Sequence, residues 1–182
     1  MSALERIAQL AERASALVAR ALSAAAALAV AAIVLVLLFA SVQRYALAHP
    51  IPATEELAAF LFVAAAFLSV MDGFVQGRHI RLLPLWRRLP TRLQGWSMMA
   101  GHLFALGVLG VLIRETWAFA AFSRDLGARS YVASLLEWPW MMLIPFSLGA
   151  LALAILARFL GDFARTLRGE RPPEAAEPAA EL

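Results

Sequence analysis

The side chains able to do chemistry in this sequence are few, and they stand at the edges of long apolar runs. His79 and His102 fall toward the same side of two neighbouring runs. Two such imidazoles could ligate a haem, provided that their rings oppose one another at matching depth. Arg44, Glu55 and Glu56 flank a short connection that carries Pro50 and Pro52, so an Arg–carboxylate pair can close a hairpin there. Thr54 is placed to cap the following helix, whose electropositive first turn also suits carboxylates. Glu56, with no polar neighbour on its helical face, is expected to have a buried partner. Asp72 is a single acid about one turn from the far end of its run, and Arg20 and Arg158 enter at a similar depth on other runs. Arg114 and Glu115 close the third run, where they can snorkel to the interface or pair with neighbouring groups.

Other chemistries have no carrier. The chain holds no cysteine, so disulfides, thiol catalysis and Cys-ligated metals are excluded. It shows no Gly-rich phosphate loop, no Ser-His-Asp set and no His-Glu-x-x-His helix. An enzyme is therefore not expected.

The elements that must hold these residues are set by composition. Of 182 residues, 62% are hydrophobic and 16% charged, and mean hydropathy is +0.74; soluble domains are about half apolar and a quarter charged. Four runs are long enough to cross about 30 Å of hydrocarbon as helices: residues 21–42, 54–75, 96–117 and 138–160. None alternates as a barrel strand would. The expected class is thus an all-α integral membrane protein with four transmembrane helices. Ala46-Leu47-Ala48 resembles a signal-peptide cleavage site, but the run before it is too long and Glu5 and Glu12 precede it.

All 16 basic residues are arginines. Twelve of them share one side with both termini and the middle loop, and four (Arg44, Arg114, Arg124 and Arg129) lie on the other. That bias predicts cytoplasmic termini in a bacterial inner membrane. It also assigns the arginines to topology and lipid headgroups, with no nucleic-acid partner.

Residues 1–19 read as an amphipathic N-terminal segment, with Leu4, Ile7, Ala11, Ala14, Leu17 and Val18 on one face. It either lies at the membrane surface or simply extends the first span. The middle loop repeats the pattern through Leu82, Trp86, Leu89, Leu93 and Trp96, interrupted by Pro84 and Pro90. A membrane domain over 20–162 is expected to end in a disordered tail over 163–182, where Pro, Ala and Glu prevail. Ala21, Ala24, Ala25, Ala29 and Ala32 give the first span a smooth face that suits close helix packing or simply reflects an alanine-rich composition.

Four stretches resemble a known family: "RY" at 44–45, "TEEL" at 54–57, "GRHIRL" at 77–82 and "SLLEWPWMMLIP" at 134–145. Together, in this order and spacing, they are similar to the small, DctQ-like membrane subunit of tripartite ATP-independent periplasmic (TRAP) transporters over about residues 20–160. The resemblance implies a non-catalytic four-helix scaffold. It would brace a large multi-spanning subunit that carries sodium and an organic acid, while a soluble periplasmic protein delivers the substrate. No cofactor is expected in this chain, and sodium coupling would belong to the large subunit. Arg44 and Glu56 are expected to fix the first hairpin, with Arg78 and His79 acting likewise at the opposite turn. The competing reading from the histidines is a cytochrome-b-like haem anchor of a redox complex.

Overall fold

Alanine and leucine favour helix, and in hydrocarbon a helix satisfies every backbone N–H and C=O within its own segment. The computed structural model describes residues 3–46, 51–75 and 90–167. Within them lie four helices: α1 (Ala3–Ala46), α2 (Ala53–Val75), α3 (Thr91–Asp125) and α4 (Trp138–Leu167). All four are long and apolar enough to cross a membrane. Among the described residues there is no strand, only a single bridge between Arg129 and Leu136.

Three boundaries differ from the apolar runs. The 44 residues of α1 form one continuous helix, so the amphipathic N-terminal segment extends the first span and is not set apart from it. Helix α3 continues past Trp117 to Asp125 because Ala118, Phe119, Ala120, Ala121 and Phe122 sustain it. Helix α4 runs to Leu167, beyond the expected end at 162. The middle loop around Trp86, and the tail from 168 onward, lie outside the described residues.

The connection between α3 and α4 is compact. Gly127 ends α3 with a φ of 62°, a left-handed conformation that glycine adopts without a Cβ penalty. Its N–H bonds Arg124 O at 3.0 Å and the next N–H, of Ala128, bonds Ser123 O at 3.0 Å, which is the Schellman arrangement of a helix C-terminus. Pro139 then sits in the first turn of α4, where a missing N–H costs nothing. Pro145 lies inside the same helix and leaves the carbonyl one turn before it without its usual donor.

Helices α1 and α2 pair, α3 and α4 pair, and α4 also packs against α2 and α1. Of its most apolar stretch α4 buries 39%, whereas α1 and α3 each bury 11%. So α4 is the central helix, and α3 is held chiefly by α4. Most core residues are small: Ala19 and Ala26 of α1, Ala64 and Ala65 of α2, and Ser147, Ala154 and Ala157 of α4. Small side chains let helix backbones approach closely in a membrane. On α1 it is therefore Ala19 and Ala26 that face neighbouring helices, whereas Ala21 and Ala24 are exposed. Between α3 and α4, Leu109 packs with Leu148, Leu151 and Ile155.

At Gly95 α3 lies close against the side chain of Thr166 on α4. A Cβ there would stand 2.8 Å from Thr166 Oγ1 and 2.9 Å from its Cγ2. Thr166 cannot readily turn aside, because its hydroxyl donates to Asp162 O at 2.8 Å. Gly95→Ala should thus destabilise the chain by about 1–2 kcal/mol, since the overpacking outweighs the helix propensity gained. Adding Thr166→Ala should recover most of that loss. Thermal unfolding of the three variants in nanodiscs checks it, and additive effects would show that the contact is not the cause.

Candidate functional site

Arg44 lies in the last turn of α1, and Glu55 and Glu56 lie in the first turn of α2. Arg44 Nη2 donates to Glu55 Oε1 at 2.6 Å, with both side chains more than half exposed. Glu55 is therefore the carboxylate that closes the hairpin with Arg44, and Glu56, expected to fix that hairpin together with Arg44, turns to a different segment. Neighbouring positions on a helix point about 100° apart. With Glu55 turned to α1, Glu56 faces the α3–α4 connection. Thr54 also departs from expectation. Its hydroxyl donates to Ile51 O at 2.7 Å, and its N–H bonds the same carbonyl at 3.2 Å, so it lies within the first turn of α2, closing it back onto Ile51, and is not the cap that precedes the helix.

Glu56 reaches a segment more than seventy residues away. Its Oε1 accepts the N–H of Val132 at 2.9 Å and its Oε2 accepts the N–H of Ala133 at 2.7 Å. The Ser130 side chain is a third hydrogen-bond partner. The segment that receives Glu56 is braced internally. Ser130 N–H bonds Leu135 O at 2.8 Å, Glu137 N–H bonds Ala128 O at 3.2 Å, and Arg129 Nη1 donates to Ser134 O at 3.1 Å. Ser130 Oγ accepts the N–H of Leu135 at 3.1 Å, and Ser134 takes a φ of 52° to close the turn. The result is a rigid loop whose tip offers two N–H groups to one carboxylate and leaves Tyr131 fully exposed. Below it, Phe60 of α2 stacks on Trp140 of α4 with ring centroids 5.5 Å apart.

At the opposite end the polar groups are turned inward. Asp72 of α2 accepts a hydrogen bond from Ser23 of α1 at 3.3 Å. Arg158 of α4 donates to Phe74 O at 3.4 Å and lies 5.1 Å from the centroid of the Phe74 ring, a cation–π contact. Nearby, His102 Nδ1 of α3 stands 3.8 Å from Asp162 Oδ2 of α4, with side chains only 13% and 9% exposed. His102 thus faces a carboxylate. Arg78 and His79 lie outside the described residues. Among those described, no three His, Cys, Asp or Glu side chains converge as a metal-ligand set.

Arg114 and Glu115 are not at the end of their helix. Arg114 Nε lies 3.8 Å from Glu115 Oε1, and both side chains are exposed on the flank of α3, nearly three turns before Asp125.

Asp162 and the loop N–H groups of Val132 and Ala133 were not singled out from the sequence. A backbone donor has no sequence signature. Asp162 did leave a trace, because it and His102 stand almost equally far from the α3–α4 connection, so an antiparallel pair brings them to one depth.

The arrangement is that of a brace: charged and polar groups tie hairpin to hairpin at both ends of a bundle of small-residue helices. A sequence model of the family described as tripartite ATP-independent periplasmic transporters, DctQ component, matches residues 33–165. No curated protein and no solved structure matches the chain. The family match takes in all of α2 and α3 and nearly all of α4, together with both polar ends of the bundle, and this chain accordingly belongs to the DctQ family, the small membrane component of the TRAP transporters.

Proposed function

We propose that this chain is the non-catalytic small subunit of a sodium-coupled TRAP transporter for organic acids. It braces a large multi-spanning membrane subunit and works beside a periplasmic substrate-binding protein. The observation that carries the reading is the tie from Glu56 to the α3–α4 loop. It fixes one helix hairpin against the other, which is what a static support for a moving partner requires. The carboxylate at the rim is spent on structure and not on a substrate.

The same reading sets the rim with Arg44 and Glu56 on the periplasmic side of a bacterial inner membrane, with both termini cytoplasmic. The distribution of arginines favours that orientation. Sodium and the organic acid are assigned to the large subunit, and no cofactor to this chain.

Co-expression with the large subunit and reconstitution in proteoliposomes tests this. The tagged chain should co-purify with the large subunit. Uptake should need both chains, the binding protein and a sodium gradient. The chain alone should accumulate nothing and show no Soret band. Solute accumulation by the isolated chain would overturn the proposal, and a Soret band would favour a haem anchor instead.

A further inference from the structure

The depth of Arg114 is set by the register of α3 on α4. Trp117 of α3 meets Phe146 of α4 edge-on, with ring centroids 6.1 Å apart. Phe146 stands eight residues into α4, and Arg114 three residues further down α3. At about 1.5 Å per residue, Arg114 therefore lies roughly 16 Å below the first residue of α4. The His102–Asp162 pair lies twelve residues and about 18 Å further along α3. With a hydrocarbon layer of about 30 Å, Arg114 and Glu115 come near mid-depth.

They also face outward. The Arg114 side chain is 86% exposed and that of Glu115 is 65% exposed. Lipid is a poor cover for such a pair, since charged side chains at mid-membrane are costly and usually face protein or a water-filled cavity. The rim is too far for either side chain to snorkel. Around Arg114 the flank is otherwise smooth. At Gly107 and Gly110 a Cβ would meet nothing within 4 Å, and Leu103 and Val111 beside them are exposed. Leu103, Gly107, Gly110 and Arg114 recur at three- and four-residue steps, so they share one face of α3.

We infer that this face of α3 is covered by a transmembrane helix of another membrane protein, one that sets a carboxylate opposite Arg114 and a hydrogen-bond donor opposite Glu115. The occupant is argued from charge. A second copy of this chain, packed through this same face about a two-fold axis along the membrane normal, would bring Arg114 onto Arg114 at equal depth, with Glu115 about 100° round the helix and off the contact. A different chain can supply the opposite sign. The inference rests on the subunit reading, under which that chain is the large subunit, and it names the surface by which the two meet.

The test uses the full chain co-expressed with the large subunit, with a benzophenone amino acid at Val111. Irradiation should join the two chains. Separately, Arg114→Gln should lower the yield of co-purified large subunit about tenfold, the factor that corresponds to 1.4 kcal/mol. The melting temperature of the isolated variant should stay at the unaltered value, because the side chain touches little of its own protein. A Val111 probe that joins only lipid, or only a second copy of the chain, overturns the inference. So does an Arg114→Gln chain that recovers the large subunit in full. If the unaltered chain fails to co-purify with the large subunit, the subunit reading falls and this surface with it; a normal complex with no α3 crosslink removes the surface alone.

Discussion

Glu56→Ala should free the amides of Val132 and Ala133 while leaving most of their loop intact. The carboxylate accepts both N–H groups, one on each oxygen, and charge-assisted bonds of this kind are the stronger ones. Without it two backbone donors lose their acceptor, and their hydrogen exchange should accelerate on the order of tenfold or more, as expected for a local opening. The amides of Ser130 and Glu137 bond carbonyls within the loop itself, so their exchange should change far less. Glu56→Gln should fall between, because one amide oxygen can serve one N–H while its NH₂ confronts the other donor. Glu55→Ala is the control. It removes an exposed pair with Arg44, and such pairs contribute little. In the assembled transporter, Glu56→Ala should reduce uptake or loosen the complex, and Glu55→Ala should do neither. Hydrogen exchange in nanodiscs, read amide by amide, is the measurement. Equal exchange in Glu56→Ala and the unaltered chain would mean that the loop is held by its own bonds and that α2 contributes nothing.

The contrast between the two glutamates marks how far the sequence can be read. Four helices follow from four apolar runs, because a membrane leaves the backbone no other economical way to satisfy its polar groups. The charged hairpin is legible too, since Arg44 and the acids flank a connection stiffened by two prolines. Which acid meets Arg44 is not legible. It depends on the rotation of α2 about its axis, and that rotation is fixed by packing against both α1 and α4, where Met71 meets Ala19 and Ala154. The depth of Arg114 escaped for a related reason. An apolar run measures composition along one helix and carries no register against its neighbour. The apolar run ends at Trp117, yet Trp117 meets Phe146 well inside α4. Asp72 was legible as an anomaly, but its partner Ser23 was not, because a serine in an alanine-rich helix looks like one more small residue.

Asp162→Ala should be the more damaging change to the α3–α4 hairpin. Helix α3 buries little of its apolar stretch and depends on α4, so each polar contact between them counts for more than it would in a crowded core. Asp162 is 7% exposed as a residue, and its carboxylate stands 3.8 Å from His102 Nδ1. The same turn carries Thr166, which fits against Gly95. Removing the acid takes away the carboxylate that the buried imidazole faces, and losing such a partner in a buried site costs about 1–3 kcal/mol. Replacing both partners by apolar groups of similar volume is often neutral or even favourable. Hence His102→Leu combined with Asp162→Leu should be more stable than Asp162→Ala alone, and the effects of the two sites should be strongly non-additive. Unfolding of the single and double variants in a common detergent gives the coupling directly. Small, additive losses would show that the two side chains merely share a depth, with the hairpin held by Leu109, Leu148, Leu151 and Ile155.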